Sequence, residues 1–163
     1  MDFQLTEEQT LIQDMAKGFA VSELAPQSAK WDEEKFLERA VFAKAAELGF
    51  MGMYSSEEHG GTALSRLDSA IVFEQLAAGD VSHTAMMTIH NMATWMVDRY
   101  GDDTVRAKYL PRLTAGELIA SYCLTEPGAG SDAASRTTKA VRCLLYTSPS
   151  PRDATLSRMP SSA

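Results

Sequence analysis

The chain has little of what marks several large classes of protein. Only 2 of its 163 residues are cysteines, Cys123 and Cys143, which excludes a disulfide framework and a multi-cysteine zinc site. No apolar run approaches the roughly 20 residues that span a bilayer, so no membrane insertion is predicted. Acidic residues outnumber basic ones by 22 to 15. This charge balance excludes sequence-independent binding of nucleic acid, because such binding requires a basic surface.

Histidine is also scarce. The three histidines, His59, His83 and His90, show no metal-ligand spacing, and we expect surface or capping roles for them. No metal site is therefore predicted.

Helical periodicity dominates the first two thirds of the chain. Thr6 and Gln9 fit a capping box, and the helix that follows is predicted to end before Pro26, because proline cannot continue it. Its apolar stripe recurs every fourth residue, at Leu11, Met15 and Phe19. A second helix is predicted to end at Gly49, with Phe50 packed back on its last turn. Its stripe comprises Val41, Phe42, Ala45 and Leu48.

Three more helices are predicted before the pattern changes. They cover residues 67–79, residues 82–100 with Ser82 as N-cap, and a short segment from 103 or 104 to 110 that Pro111 closes. The longest of them has an apolar face made of Ala85, Ile89, Met92, Met96 and Tyr100. Residues 118–124 then form a short apolar run between Gly116 and Pro127, which predicts a strand.

The last 21 residues, 143–163, differ in composition from the rest. They hold half of the 6 prolines, five serines and no apolar period, and such a segment cannot supply a core. Their opening, Cys-Leu-Leu-Tyr-Thr-Ser-Pro-Ser-Pro-Arg-Asp, resembles a translated sequencing-adapter tail. We interpret them as a non-native, disordered tail, and we expect the native part to be a fragment.

One segment of the chain has the composition of a ligand-binding loop. It is Tyr-Cys-Leu-Thr-Glu-Pro-Gly-Ala-Gly-Ser-Asp at residues 122–132. Gly128 and Gly130 let main-chain N–H groups approach an anion or a planar ring, and the hydroxyls of Thr125 and Ser131 can donate to a ring heteroatom or a phosphate. The spacing is neither the GxGxxG of dinucleotide sites nor a phosphate loop with its lysine. On these residues alone, a tight turn with a purely structural role stays an open alternative.

A family resemblance rests on this segment. The run from Cys123 to Ser135 resembles, residue for residue, the first signature of the acyl-CoA dehydrogenase family. Residues 5–9 resemble the family's opening, residues 47–52 the exit of its second helix, and residues 108–111 with 116–117 its approach to the sheet. Residues 61–68 and 88–96 are most similar to the isobutyryl-CoA dehydrogenases within that family.

The resemblance implies a mainly α fold and a division of the chain. Residues 1–116 would form the N-terminal helical domain, and residues 117–142 would begin a middle β-domain with its first strand and flavin loop; the C-terminal helical bundle is absent. The enzyme would act as a homotetramer with FAD, oxidise a short branched acyl-CoA such as isobutyryl-CoA, and reduce electron-transferring flavoprotein. It would lie in the cytoplasm of a bacterium, or in the mitochondrial matrix of a eukaryote after loss of a transit peptide.

The resemblance also assigns roles to residues. It implies FAD contacts for Tyr122, Cys123, Leu124, Thr125, Glu126, Pro127, Gly128, Ala129, Gly130 and Ser131. It implies substrate contacts for Ser131, Asn91 and Trp95. No catalytic residue is expected, because the family's glutamate base has no counterpart in this chain, and we expect the fragment itself to be inactive.

Other residues allow two interpretations. Met86, Met92 and Met96 are more typical of core filling than of a substrate wall, and Glu74 and Glu117 are typical of solvated carboxylates. The alternative function is a helical interaction module whose glycine loop is purely structural. A full-length reading frame that continues into a β-domain and a bundle, with a glutamate in its last third, would favour the enzyme.

Overall fold

The structure is a computed structural model, and it describes residues 4–139. Within that range the chain forms α1 (Glu7–Phe19), α2 (Ala25–Glu34), α3 (Arg39–Glu47), α4 (Arg66–Gly79), α5 (Val81–Tyr100) and α6 (Asp103–Thr114). Single turns of 3₁₀-helix occur at Glu57–His59 and Ala133–Ser135. The predicted mainly α fold is therefore confirmed. The tail predicted at residues 143–163 lies outside the described residues.

The first helix begins at the predicted capping box. Thr6 Oγ1 accepts a hydrogen bond from Gln9 N at 3.1 Å, and Gln9 Oε1 accepts one from Thr6 N at 3.1 Å. Two main-chain N–H groups that the helix leaves unpaired are satisfied in this way. The predicted apolar stripe is only partly correct, because Leu11 is 70% exposed and Met15 is 40% exposed. Phe19 of the stripe is buried as predicted, together with Ala16.

The first helix ends before Pro26, as predicted, but the proline does not end the helical path of the chain. A π-helical turn, Ala20–Leu24, joins α1 directly to α2, and Pro26 lies in the first turn of α2. Ala25 N donates to Ala20 O, a bond that is one residue longer than the ordinary α-helical bond. Because α2 starts afresh after this wider turn, Pro26 occupies a position where a missing N–H leaves no helical bond unmade.

Gly49 ends the turn after α3, as predicted. Its φ of +78° lies in the left-handed region, and Phe50 N donates to Ala45 O at 2.9 Å. A Cβ at Gly49 would lie 2.5 Å from Cγ2 of Thr62, so conformation and space both require glycine. Phe50 is packed back into the core, as predicted, but Leu48 of the predicted stripe is partly exposed.

The fifth helix differs from prediction at its start and in its buried face. Its N-cap is Asp80, not Ser82, because Asp80 Oδ1 accepts from His83 N at 2.7 Å. The predicted apolar face is the more exposed one, with Ile89 39% and Tyr100 73% exposed. The buried face is largely polar, and its members are His83, Thr84, Met87, His90, Asn91, Ala93 and Thr94.

Pro111 does not close the sixth helix, contrary to prediction. The helix continues to Thr114, and Ala115 N donates to Pro111 O at 3.1 Å. Pro111 removes the bond to the carbonyl of Ala107, but both residues are exposed. Water can therefore solvate that carbonyl, and the helix tolerates the proline.

The core is built where four of the helices meet. In the described part of the chain α1 packs against α4, α4 against α5, and α5 against α6. The rings of Phe19 and Phe50 meet edge to face, with centroids 5.8 Å apart. None of the described helices combines the length and the apolar character that a bilayer crossing requires. The buried cluster comprises Ala16, Phe19, Ala20, Leu24, Trp31, Val41, Phe42, Ala45, Phe50, Met51, Met53, Val72, Leu76 and Met87.

Residues 118–124 do not form the predicted strand. They have no regular secondary structure, and the β-type pairing found within residues 4–139 is an isolated bridge between Glu126 and Ala129. A strand needs a neighbour to complete its ladder, and the described residues supply none. The chain divides into two compact units between Tyr122 and Cys123. The domain boundaries expected at residues 116 and 142 stay predictions.

Candidate functional site

The glycine loop is a tight turn that its own main chain closes. Glu126 N donates to Ala129 O at 3.2 Å, and Ala129 N donates to Glu126 O at 3.1 Å. Pro127 and Gly128 occupy the two central positions, and a proline suits the first of these because its φ is fixed. Ala129 is 2% exposed, whereas Pro127, Gly128 and Gly130 are exposed. The two hydrogen bonds between Glu126 and Ala129 therefore define the conformation of the turn within the unit that begins at Cys123.

The side chain of Glu126 fastens the loop to the segment that follows it. Its carboxylate accepts from Thr137 N at 2.9 Å, from Thr137 Oγ1 at 3.1 Å and from Thr138 N at 3.1 Å. These hydrogen bonds, from Thr138 and Thr137, lower the pKa of Glu126 to about 2. The carboxylate is thus ionised and bonded within the chain itself, and the main chain of Glu126 is bonded to Ala129.

Several hydrogen-bond donors of the loop have no partner within residues 4–139. Four of them are the main-chain N–H groups of Thr125, Gly128, Gly130 and Ser131. The other two are the side-chain hydroxyls of Thr125 and Ser131. All four residues are exposed. Together they place six donors on seven consecutive residues, a set that suits acceptor atoms of a ring or a phosphate.

Gly128 and Gly130 are not required by the packing or the conformation of the loop. A Cβ built on either would meet nothing within 4 Å, and neither has φ in the left-handed region. Glycine still lowers stability relative to alanine by about 0.5–1 kcal/mol where its freedom is unused. The absence of side chains at these positions therefore fits the close approach of a group that is not part of the described chain.

Side chains before the turn alternate in exposure. Tyr122 and Leu124 are half-buried, while Cys123 and Thr125 are exposed. Cys123 is a free thiol. This alternation is the period of an extended chain, so the segment has the side-chain pattern of a strand even though it has no strand partner here.

Asn91 lies in the core and offers no surface to a substrate. Its Oδ1 accepts from Met53 N at 2.7 Å, and its Nδ2 donates to Phe50 O at 2.8 Å and to Met87 O at 2.9 Å. The residue is 1% exposed. The expectation of a substrate contact at Asn91 is therefore corrected: its amide is used up in holding the loop after α3 against α5.

Trp95 is half-buried, and its neighbours differ from those of Asn91. The guanidinium carbon of Arg66 lies 5.0 Å from the Trp95 ring centroid and 3.7 Å from that of Tyr54, and Tyr100 meets Trp95 edge to face at 5.9 Å. Arg66 thus lies over both rings, which favours one position for the indole. No pattern in the sequence indicated these contacts of Arg66 and Tyr54, because three separate segments supply the cluster.

Two of the three histidines are core residues, which corrects the expectation of surface or capping roles. His83 and His90 are both 0% exposed. Glu38 N donates to His83 Nε2 at 3.0 Å, and His83 Nδ1 pairs with Asp80 Oδ1 at 2.8 Å. Burial raises the pKa of Asp80, but hydrogen bonds from His83 and Ser28 outweigh that effect and leave the pKa below its usual value.

His90 bridges two segments that lie far apart in sequence. Its Nε2 lies 3.1 Å from Leu113 O and 3.3 Å from Thr94 Oγ1, and its Nδ1 accepts from Ala120 N at 3.0 Å. Burial lowers the pKa of His90, and hydrogen bonds to the carbonyls of Leu113 and Met51 oppose that effect only in part. The spacing of His83 and His90, two helical turns, was the one available sign that both lie on the same face.

The carboxylates that resemble candidate bases have ordinary surroundings. Glu74 is exposed on α4, and Glu117 forms a surface ion pair with Arg112 at 3.3 Å. Neither is desolvated or held against another acid, which are the usual ways to prepare a carboxylate for proton transfer. Within residues 4–139 no three His, Cys, Asp or Glu side chains are grouped so as to hold a metal ion.

The helical part of the chain matches one known family. The model described as acyl-CoA dehydrogenase, N-terminal domain, matches residues 6–117. The chain belongs to the acyl-CoA dehydrogenase family. The family resemblance of the segments before residue 117 is thereby confirmed over the helical domain.

Individual members of the family match over most of this chain. The mitochondrial isobutyryl-CoA dehydrogenase of Dictyostelium discoideum is 52% identical over 138 residues, which are 85% of this chain and 33% of that protein. The mitochondrial isobutyryl-CoA dehydrogenase of Bos taurus is 51% identical over 138 residues, with the same shares. The solved structure of PigA with FAD and proline is 33% identical with a TM-score of 0.81, over 88% of this chain and 38% of that one. The chain thus spans about a third of the length of these curated relatives.

Proposed function

We propose that this chain is the N-terminal part of an FAD-dependent acyl-CoA dehydrogenase that oxidises a short branched acyl-CoA. The observation that carries the proposal is the loop at residues 125–131. Six of its donors have no partner in the described chain, and its two glycines are not required by the packing or the conformation of the loop. Identity of 51–52% to two isobutyryl-CoA dehydrogenases supports isobutyryl-CoA as the substrate.

FAD is the cofactor that we propose for residues 122–131. When bound, it supplies the acceptor for the hydride that leaves the β-carbon of the acyl thioester. Thr125 would donate its hydroxyl, and Leu124 its main-chain groups, to the polar edge of the ring, while the open Cβ positions of Gly128 and Gly130 admit a flat group against the main chain. Ser131 would contact both the cofactor and the CoA part of the substrate.

Trp95 is the residue that we propose as a wall of the acyl pocket. It is partly accessible, and Arg66 and Tyr100 limit the positions that its indole can take. A bulky ring held in one place excludes longer chains by shape, because it cannot move aside to admit them. Asn91 takes no part in this proposal, since its amide is buried and fully hydrogen-bonded.

The base that removes the α-proton is, in this proposal, not among the described residues of this chain. Such a base needs a free lone pair and a pKa near the working pH. Glu126 meets neither need, because Thr137 and Thr138 occupy its carboxylate and lower its pKa to about 2. Glu74 and Glu117 are exposed and therefore well solvated.

The partners proposed for the complete enzyme follow from the family. They are the acyl-CoA substrate, electron-transferring flavoprotein as the electron acceptor, and three further copies of the chain in a homotetramer. The two relatives named above are both mitochondrial proteins, which supports the matrix as the compartment if the source is a eukaryote. In a bacterium we propose the cytoplasm.

The test is to recover the complete reading frame that contains residues 1–142 and to assay the purified product. We expect it to hold FAD and to lose the visible absorption of the flavin when isobutyryl-CoA is added without an acceptor. Propionyl-CoA and octanoyl-CoA should act more slowly at equal concentration. A colourless product that binds neither FAD nor acyl-CoA would favour the alternative, a helical interaction module with a structural glycine loop.

A further inference from the structure

His90 is a buried imidazole with both ring nitrogens bonded to main-chain groups of other segments. Leu113, at the end of α6, offers a carbonyl 3.1 Å from Nε2, and Ala120 donates its N–H to Nδ1 at 3.0 Å. The residue is 0% exposed, so water cannot replace either bond. The ring therefore fixes two segments that lie 23 and 30 positions away in sequence.

These partners permit one protonation state of the ring. A main-chain N–H can only donate, so Nδ1 must offer its lone pair to Ala120, and a carbonyl can only accept, so Nε2 must carry the proton toward Leu113. A second proton on Nδ1 would point at the N–H of Ala120 and remove the bond. The neutral imidazole holds Ala120, and the imidazolium cannot.

Ala120 lies two residues before Tyr122, where the proposed cofactor-binding segment begins. Within residues 118–122 the main-chain N–H groups make two hydrogen bonds that the structure describes, from Leu118 to Arg112 O at 3.1 Å and from Ala120 to His90. No strand partner holds this segment in the described chain. The placement of residues 118–122 therefore depends on His90 and on the partial packing of Ile119 against the core.

We propose that His90 is a positioning residue for the cofactor-binding segment: its neutral ring fixes the main chain at Ala120, and protonation of Nδ1 releases it. The proposal rests on the proposed function only in naming the segment as cofactor-binding. The bond from Ala120 and its loss on protonation do not depend on FAD.

The groups that face the ring are uncharged. They are the carbonyls of Leu113 on α6 and Met51 in the loop after α3, the hydroxyl of Thr94 on α5 itself, and the N–H of Ala120. No described carboxylate or cationic side chain acts on His90 among these influences. Burial lowers the pKa of His90 below its ordinary 6.5, so the ring is neutral at neutral pH and releases Ala120 only at a pH below that value.

Two substitutions separate the two bonds. The Oδ1 of asparagine can take the place of Nδ1 and accept from Ala120, whereas the Nε2 of glutamine can take the place of the ring Nε2 and donate to Leu113. His90→Asn should therefore keep the anchor without a titratable group, and His90→Gln should lose it. His83→Asn is the matched control, because His83 is equally buried on the same helix but accepts from Glu38 N instead.

The measurement is amide hydrogen exchange of the whole 163-residue chain, followed by NMR and corrected for the intrinsic pH dependence of exchange. The protection of Ala120 is read relative to that of Asn91, so that a general loss of stability cancels. In the unmodified chain this ratio should be constant from about pH 8 to neutral pH and should fall as the pH is lowered through the pKa of His90, by roughly tenfold in all, the size expected for one lost buried hydrogen bond. His90→Gln should show the low ratio at every pH, and His90→Asn a high ratio without the transition. His83→Asn should leave the ratio unchanged.

A ratio in the unmodified chain that does not change with pH would overturn the proposal, and that result needs no variant to fold. Full protection of Ala120 in His90→Gln would overturn it as well. The experiment contains no flavin, so its outcome is independent of the enzyme assay above. If exchange behaves as expected and the complete protein binds no FAD, the proposed function fails and the anchoring of Ala120 by His90 stands.

Discussion

Replacing Asn91 tests whether its amide holds the structure together, as its contacts imply. Asn91→Leu keeps a side chain of similar size but removes the partners of Met53 N and Phe50 O, on residues that are 0% and 1% exposed. Met87 O loses a bond too, but it belongs to the same helix. Each buried main-chain group left without a partner costs about 1–3 kcal/mol, so we expect the free energy of unfolding to fall by about 4 kcal/mol.

That loss is large beside the roughly 5–15 kcal/mol that stabilises a typical domain. The assay is urea unfolding of the whole chain, followed by far-ultraviolet circular dichroism. Thr88→Ala is the control, because the Thr88 hydroxyl bonds only the carbonyl of Ala85 in its own helix, and we expect a change within about 0.5 kcal/mol. If Asn91→Leu unfolds within about 1 kcal/mol of the unmodified chain, the hydrogen bonds contribute little and the site is held by packing.

Three further predictions concern the loop, the pocket and the cofactor. The Glu126 carboxyl should titrate near pH 2 by NMR. Its contribution to loop stability is therefore complete above its ordinary pKa of 4.5 and is lost as the pH falls through about 2. A titration midpoint above pH 4 would contradict the hydrogen bonds from Thr137 and Thr138. In the complete protein, Trp95→Ala should raise kcat/KM on longer straight acyl-CoA relative to isobutyryl-CoA by roughly 10-fold, and an unchanged ratio in a folded, flavin-loaded variant would make Trp95 a packing residue. The 163-residue chain should lose FAD on desalting and show no acyl-CoA-dependent dye reduction, because one loop buries little of the cofactor; a chain that stays yellow would refute this.

Local signals in the sequence predicted the ends of helices well where the whole motif is local. Thr6 with Gln9, and Gly49 with Phe50, involve residues at most a few positions apart, and the structure forms both motifs. The effect of proline depends on context: Pro26 follows a π-helical turn and lies in the first turn of a new helix, and Pro111, wrongly predicted to close α6, lies on an exposed side. Neither circumstance is visible in the identity of the residue.

The buried face of α5 could not be predicted from hydrophobic periodicity. The apolar residues Ile89 and Tyr100 face outward, while the polar residues His90 and Asn91 face the core. Polar groups can be buried only where partners exist, and those partners are main-chain atoms 23 to 41 positions away. The glycine loop was located from its motif, but the role of Glu126 depends on Thr137 and Thr138, which no motif singled out.

The polar face of α5 specifies register in a way that an apolar face would not. His83 accepts a hydrogen bond from the main chain just before α3, and Asn91 bonds main-chain groups of Phe50 and Met53 in the loop after α3. His90 bonds the main chain at the end of α6 and at Ala120. Each bond requires one donor opposite one acceptor, so a segment shifted by a single residue would leave buried groups unpaired. Apolar side chains of similar volume would tolerate such a shift, because dispersion contacts have little directional preference. One helix thus fixes the positions of three distant segments, and the last of these leads directly into the residues proposed to bind the cofactor.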